Sequence, residues 1–587
     1  MRVLVGDLAS DLALKTDMAV FSGRSGRLQV VTAWVLLAMF VVMSGLPGCA
    51  REYPRERPVS FEAGDTVRIA VMATTDVHGR VRAWDYYRNR EEPRYALSKV
   101  ATLVDSVRSV HEHTMLLDAG DWLQGNPFAE FFAMHDPQER HVPFLAVTDH
   151  MGFDAIVLGN HEFNFGLEYL DRQIEMTETP VIGANIYRHG TLEPAYQPYV
   201  IRDIAGVRVA VIGLTTPGSA VWDRPRVEGI LDFGDGLEAA HRFTAHAREE
   251  HEADVVIILA HTGLDGGTSY HRDDLGEENF GRAVGEQVPG VDLLVLGHTH
   301  RAIDDVRLQG TDGRPVGVIQ PGRWASHLGL AELKLVMDED GQIRVAAVST
   351  ANHSVEKVEE HPDIVRLTLD EHNDVVAFVT EPVAMTNDEW SARDARRKDT
   401  PIIDLIQKVQ IEQTGAQISA AAAFNTSVTF GTGPITRGDI ALLYPFYNTL
   451  YKLEVTGAQI RSFLEHTSQY YTSDTDEQGR PVVNRGWPGF NFDMLSGIEY
   501  VLDLRNPSGE RVTLLTHNGE SVSANDQFTM AVNSYRAEGG GGFDMLQEAP
   551  VLMTIDRSVA DLILEYLQEK EVIQHDDVFE ENWNLAY

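Results

Sequence analysis

The stretch Ala155-Ile156-Val157-Leu158-Gly159-Asn160-His161-Glu162 joins four apolar residues to a turn that carries an amide, an imidazole and a carboxylate. It reads as a buried strand delivering polar side chains at its carboxyl end, because none of those three groups belongs in a core without a partner. Four other apolar runs end in the same way. Residues 67–75 lead into Asp76-Val77-His78, residues 115–117 into Asp118-Ala119-Gly120-Asp121, residues 255–260 into His261, and residues 291–296 into Gly297-His298-Thr299-His300. Five strands therefore aim polar groups at one place, and in an open α/β sheet ligands gather at the carboxyl ends of the strands.

Helical patterns alternate with these runs. In residues 96–110, Leu97, Val100, Val104 and Val107 recur at helical spacing, which predicts an α/β fold. At 587 residues with 43% hydrophobic content, the chain exceeds what one core usually supports. The expected organisation is a leader at 1–48, a tether rich in Pro, Arg and Glu at 49–64, a first domain at 65–350, a charged linker or hinge at 351–400 and a second domain at 401–587. The second domain is expected to hold an amphipathic helix at 401–414, a turn-rich loop at 431–438 and a strand at 451–455 leading into a helix at 457–466. Arg393, Arg396, Arg397 and Lys398 form a rare basic cluster, read as a solvated helix face or as a hinge that contacts phosphate.

Charge narrows the partners. Lys and Arg number 49 against 88 Asp and Glu, a formal net charge of −39, so a nucleic-acid polymer, which needs a positive surface, is not an expected partner. A handled nucleotide must be small, its phosphate met locally by metal or a few basic groups. In the leader, Arg24 and Arg27 precede an apolar segment at 30–43 and then Leu46-Pro47-Gly48-Cys49, too short for a spanning helix of about 20 apolar residues. It resembles the export signal of bacterial lipoproteins, in which Cys49 would be acylated; an uncleaved signal anchor is the other reading. Both place the folded part in the periplasm or outer envelope, with membrane contact only through the leader or its lipid. Cys49 is the sole cysteine, so no disulfide forms within the chain. A monomer is expected.

Two divalent metals held about 3.5–4 Å apart, clamping an in-line displacement at phosphorus, need a carboxylate that reaches both and flanking His, Asp and Asn ligands. Asp76, His78, Asp121, Asn160, His261, His298 and His300 supply that set. Asp121 is the natural bridge, with Gly120 beside it to permit close approach. His161, directly after Asn160, is left as an acid or a transition-state stabiliser. The donor types suit Mn, Zn, Fe or Co.

These motifs, in this order, resemble the calcineurin-like metallophosphoesterases, and the order of domains resembles the periplasmic 5′-nucleotidase family. The resemblance implies a four-layer αββα sandwich followed by a smaller α/β substrate-binding domain. It also implies one metal on Asp76, His78, Asp121 and His300 and a second on Asp121, Asn160, His261 and His298. Residues 74–78 (TTDVH), Asp85-Tyr86-Tyr87 and residues 159–166 (GNHEFNFG) look most like the 2′,3′-cyclic-nucleotide 2′-phosphodiesterase/3′-nucleotidase branch. The 5′-nucleotidases usually carry Asp where this chain has Asn164, and an Asn oxygen can still accept from an imidazole N–H. Residues 444–450 (YPFYNTL) and 488–493 (PGFNFD) resemble the family's substrate segments, in which two aromatic rings sandwich the base. Phe446 and Phe490 match the clamp positions, Phe492 is the alternative to Phe490, and Asn448 would reach a base edge or ribose. Asn533-Ser534-Tyr535-Arg536 and the glycines at 539–542 also resemble that branch. The implied activity opens 2′,3′-cyclic nucleotides to 3′-nucleotides and dephosphorylates these. The alternatives are a 5′-nucleotidase or nucleotide-sugar hydrolase, a thiosulfate-pathway hydrolase of related fold, and a binding protein that lost the chemistry.

Overall fold

Strands buried on both faces read as continuous apolar runs rather than alternating ones, and the central runs here are of that kind. The computed structural model describes residues 64–587 other than 137, 271, 273 and 339–341; the expected leader, Cys49 and nearly all of the tether lie outside the described residues. In chain order the large sheets use β1 (Thr66–Thr74), β2 (Thr114–Asp118), β3 (Ala155–Val157), β4 (Val181–Ile182), β5 (Tyr199–Ile204), β6 (Val207–Thr215), β7 (Val255–His261), β8 (Leu293–Leu296), β9 (Ala302–Gln309), β10 (Pro315–Pro321), β11 (His327–Met337) and β12 (Ile343–Ser354).

One sheet has the order β12-β11-β1-β2-β3-β4, parallel from β1 to β4 and antiparallel at β11 and β12. The other has the order β9-β10-β8-β7-β6-β5, with parallel β10, β8, β7 and β6 between antiparallel edges. Side chains alternate across each strand. Val71 and Ala73 meet Val211, Ile257 and Val295 in the layer between the sheets, whereas Met72, Leu116 and Ile156 face outward into a second cluster. Helix Leu97–Arg108 adds Leu97, Val100 and Val104 to that outer cluster. On the opposite side, Ala239, Ala240 and Phe243 of helix Gly236–Glu249 and Val284 of Gly281–Gln287 cover Ile212 and Ile258. The result is four layers, helices outside and two mixed sheets inside, with the ends of β1, β2, β3, β7 and β8 on a common edge.

The stretch expected to be a linker is mostly built into the cores. Strand β12 continues to Ser354, and helices Pro362–Leu367 and Leu369–Val379 bury Ile364, Val375 and Val379 with the outer cluster of the first domain. Strand Pro382–Thr386 then pairs with Gly433–Thr436 and Val572–Ile573 of the second domain. The expected loop at 431–438 therefore contains a strand and the start of helix Arg437–Leu443, closed by a reciprocal capping box between Thr436 and Asp439. Its glycines hid that strand from a propensity reading.

The second domain is organised on a five-stranded sheet, in the order Asp493–Ser496, Ile418–Ala422, Gln527–Asn533, Leu450–Thr456 and Val551–Ile555. Helix Pro401–Thr414 starts with proline in its first turn and stops at Gly415, where φ is +61°, the left-handed cap that glycine adopts without strain. Its Ile402, Ile403, Leu405, Ile406 and Val409 are all buried, more than one face of the helix, because the sheet and helix Val559–Lys570 both pack on it. Among the described residues no helix is long and apolar enough to cross a membrane.

Candidate functional site

The polar ends of the strands are shaped by strained backbone. Asp76, His78, Asp121, His298 and His300 all have φ between +48° and +71°, a conformation that costs a residue with a side chain about 1–3 kcal/mol and clusters where geometry serves a site. Close packing of the loops demands glycine beside them. A Cβ on Gly159 would collide with Asp121 Oδ1 and lie 2.9 Å from His261 Cγ, and one on Gly297 would strike Thr75 Oγ1.

Asp76, His78, Asp121 and His300 each offer one ligand atom, all within 4.8 Å of one another. Beside them, His261 Nε2 lies 3.1 Å and His298 Nδ1 3.0 Å from Asn160 Oδ1. Asp121 Oδ2 lies between the two groups, 3.0 Å from His261 Nε2 and 3.9 Å from His78 Nε2. The structure thus brings the seven expected ligands into two adjoining sets that share Asp121.

The donor set fits metal ions. His78 Nδ1 faces Gln124 O at 2.6 Å and His261 Nδ1 faces Ala119 O at 2.7 Å; a carbonyl only accepts, so each Nδ1 carries a proton and each Nε2 is the nitrogen that points inward. His298 presents Nδ1 inward because its Nε2 is held by Glu278 Oε1 at 3.0 Å, the carboxylate–histidine support common around metals. Burial drives His78 down to about 3, so it is neutral. Burial alone would also lower His261, but Asp121 outweighs it and pushes His261 up to about 10; the field that would keep a proton there also suits a cation. His300 differs. Its Nδ1 meets Arg323 Nη1 at 3.2 Å, and because a guanidinium only donates, Nε2 carries the proton and points at His78 Nε2, 3.0 Å away. Ligation through His300 Nε2 requires that proton to move to Nδ1 and Arg323 to withdraw.

Residues 69–302 match the family model for the calcineurin-like phosphoesterase, and residues 375–548 match that for the 5′-nucleotidase, C-terminal domain. The chain belongs to the calcineurin-like phosphoesterases that carry a 5′-nucleotidase C-terminal domain. Among similar proteins, a Salmonella typhimurium 2′,3′-cyclic-nucleotide 2′-phosphodiesterase/3′-nucleotidase is 28% identical over 81% of this chain and 82% of its own length. The Bacillus subtilis trifunctional nucleotide phosphoesterase protein YfkN is 27% identical over 89% of this chain, which spans 39% of YfkN. The crystal structure of a putative 5′-nucleotidase from Staphylococcus aureus in complex with alpha-ketoglutarate is 25% identical, covers 89% of this chain and 100% of that one, and superposes with a TM-score of 0.75.

Within the phosphoesterase domain, several polar residues without an assigned role in the sequence reading hold the candidate ligands. Glu162 is fully buried and accepts from four backbone N–H groups: Gly159 at 2.6 Å, Asp121 at 2.9 Å, Trp122 at 2.7 Å and Leu123 at 3.1 Å. It ties the Asp121 loop to the Asn160 loop. Burial, with the nearby Asp121 charge, pushes it up to about 7. Asp118 accepts from Thr74 Oγ1 at 2.6 Å and from the Gly120 N–H at 2.9 Å. Both acids stand in the quoted motifs, and an acidic residue inside an apolar strand-and-turn signature was the available signal. Glu278, and Asp223, whose Oδ1 accepts from Asn164 Nδ2 at 2.7 Å, had none.

His161 sits beside the candidate metal-ligand set, its ring 5.3 Å from that of His78, with its backbone N–H donating to Asp121 Oδ1 at 2.9 Å. Its Nδ1 lies 2.7 Å from Asn164 Oδ1. Trp222, at the end of the short helix Ser219–Trp222, stacks on His298 with ring centroids 5.6 Å apart.

The 5′-nucleotidase C-terminal domain reaches this centre through residues 444–448. Gln124, whose carbonyl holds His78, also donates Nε2 to Pro445 O at 3.2 Å. Phe446 is 39% and Phe490 40% exposed, whereas Phe492 is 1% exposed and packed among Tyr470, Tyr471 and Trp583. Of the two sequence candidates near 490, Phe492 is a core residue and Phe490 the free ring. Phe446 touches Phe424 edge-on, with centroids 5.0 Å apart; no stacking of Phe446 on Phe490 occurs among the described residues. Asn448 is only 3.5 Å from Tyr444 OH, and its backbone carbonyl accepts from the Val559 N–H. The glycines at 539–542 and the Arg536 motif form one unit with the Phe490 segment. Buried Arg536 grips Asp493 at 2.9 and 2.8 Å and donates to Gly540 O at 2.9 Å and Phe490 O at 2.5 Å. In the basic cluster, Arg396 is half-buried and donates to Ala423 O at 2.6 Å, while Arg393, Arg397 and Lys398 are exposed.

Proposed function

We propose that this chain is a dinuclear metal-dependent hydrolase of small nucleotides that opens 2′,3′-cyclic nucleotides to 3′-nucleotides and releases phosphate from these. The observation that carries the reading is the pair of ligand sets sharing Asp121, with imidazole nitrogens turned inward by backbone carbonyls, next to a segment of the second domain that bears a free aromatic ring. One set would hold a metal on Asp76, His78, Asp121 and His300, the other on Asp121, Asn160, His261 and His298. Bound there, divalent ions supply Lewis acidity to the phosphoryl group and lower the pKa of water. The protein's own contribution is positional. Asp121 spans both sets, His161 stands where charge changes on the reacting oxygens, and Phe446 and Phe490 grip a base by its π-face without demanding a particular base. The hinge expected within 351–400 narrows to the passage between the two cores near 380–382, and Asn448 meets the base edge or ribose.

The resemblance to the Salmonella typhimurium phosphodiesterase/3′-nucleotidase supports this choice of substrates. A second reading, 5′-nucleotidase or nucleotide-sugar hydrolase on the same centre, is favoured by the likeness to the Staphylococcus aureus putative 5′-nucleotidase. Phosphate release from 2′,3′-cyclic AMP, 3′-AMP, 5′-AMP and a uridine diphosphate sugar separates them. Turnover of the first two is expected; turnover of the last two alone would replace the first reading with the second. Export, with acylation at Cys49, follows from the leader, and the mass of the mature protein tests it: an unmodified Cys49 rejects lipidation. A monomer in solution completes the proposal.

A further inference from the structure

The support of His161 continues beyond Asn164. Asn164 Nδ2 donates to Asp223 Oδ1 at 2.7 Å, and Asp223 arrives from a distant part of the chain, buried at the head of helix Arg224–Val227 directly after Trp222. Its other oxygen, Oδ2, is buried without a hydrogen-bond partner among the described residues, so the interaction with Asn164 is the visible use of this carboxylate.

The chemistry of the three groups dictates an order. An amide has a donor end and an acceptor end and, left alone, offers either to an imidazole. An ionised carboxylate only accepts. With Asp223 behind it, the amide must turn Nδ2 toward the carboxylate and Oδ1 toward His161, and His161 Nδ1 must then be the protonated nitrogen. We propose that Asp223 is a positioning residue that acts through Asn164 to hold His161 with Nδ1 protonated and Nε2 as the nitrogen presented to the reacting phosphoester. The inference rests on the phosphoesterase reading of the centre. Burial pushes Asp223 up to about 6, which leaves it ionised at neutral pH. The amide also separates the carboxylate from the imidazole by one group, so the ring is oriented without direct contact with a negative charge.

Reversing the polarity of the pair tests this. In the full-length metal-loaded protein acting on 3′-AMP, Asp223→Ala is expected to lower kcat about 10- to 100-fold, as loss of such outer partners typically does, with KM within about threefold of wild type. Asn164→Asp alone sets two carboxylates against each other and is expected to be impaired. Adding Asp223→Asn to Asn164→Asp restores a donor facing an acceptor, so the double exchange is expected to recover at least tenfold in kcat over Asn164→Asp. A purely structural role predicts no such recovery. In 15N-histidine spectra of the Zn2+-loaded protein, the signal lost in His161→Gln is expected to report an Nδ1–H ring in wild type and a mixture in Asp223→Ala, independently of turnover. Wild-type kcat in Asp223→Ala, no gain in the double exchange, or an unchanged ring signal would overturn the relay while leaving the functional reading intact. Absence of any phosphoester hydrolysis by the metal-loaded wild type would instead overturn that reading.

Discussion

The loops around Asp121 and the segments around Phe446 and Phe490 solve opposite problems. In the first region five candidate ligands sit in left-handed backbone, Glu162 accepts four backbone N–H groups, and glycines leave no room for a Cβ. In the second, two large apolar rings are about two-fifths exposed, Phe446 meeting Phe424 edge-on and Phe490 held through its carbonyl by Arg536. Neither ring is committed to a core, unlike Phe492. The candidate centre is thus built on tightly constrained loops and the proposed base clamp on exposed rings, so the two regions should fail in different ways when altered.

The widest gap is expected at Asp121. Asp121→Asn removes the shared carboxylate and should lower turnover of nucleotides and of p-nitrophenyl phosphate alike by about three orders of magnitude or more. Exhaustive chelation should do the same and be reversed by metal; most activity surviving chelation would end the metal reading. Glu162→Ala should come next, costing about 10- to 100-fold in metal affinity or activity. Metal titration by calorimetry checks it, and unchanged metal affinity would show that the two loops hold their shape without the shared acceptor. Phe446→Ala should spare p-nitrophenyl phosphate and weaken nucleotide use by about 1–3 kcal/mol for the lost stack, read as kcat/KM for each substrate. Equal losses on both would make the ring structural and erase the contrast between the regions. The smallest effect is expected at the exposed pair between domains, Arg224 Nη1 and Glu538 at 3.3 Å. Such pairs contribute about 0–1 kcal/mol, so Arg224→Ala should shift the melting midpoint by no more than a few degrees.

The α/β layering and the strand ends were legible because buried parallel strands leave continuous apolar runs, and the ligands follow those runs within a few residues. The helix expected at 96–110 forms at Leu97–Arg108 for the same reason: its apolar stripe has a period. What local pattern does not carry is tertiary. Nothing in the sequence near Asp223 or Glu278 announces that they face Asn164 and His298. Phe490 and Phe492 are indistinguishable by type, and only packing sends one into the core. The passage from the first core to the second sheet falls near 380–382, well inside the expected linker, because helices at 362–379 spend their apolar residues on the first domain.

Tyr447, next to the Phe446 ring, rests on Phe165 with centroids 5.5 Å apart and lies 3.4 Å from Arg226 Nη2. Phe165 directly follows Asn164 and Arg226 lies three residues after Asp223, so the proposed base-clamp segment and the support of His161 share a seam. A second domain transplanted from a relative would bring its own residue to position 447 and press it on a seam that evolved against another. Exchange of specificity between such enzymes by cutting at the domain boundary should therefore yield chimeras that bind the new nucleotide and turn it over poorly. The graft becomes whole only when positions 165 and 226 travel with it, which makes inheritance in this protein a matter of matched surfaces rather than of interchangeable cassettes.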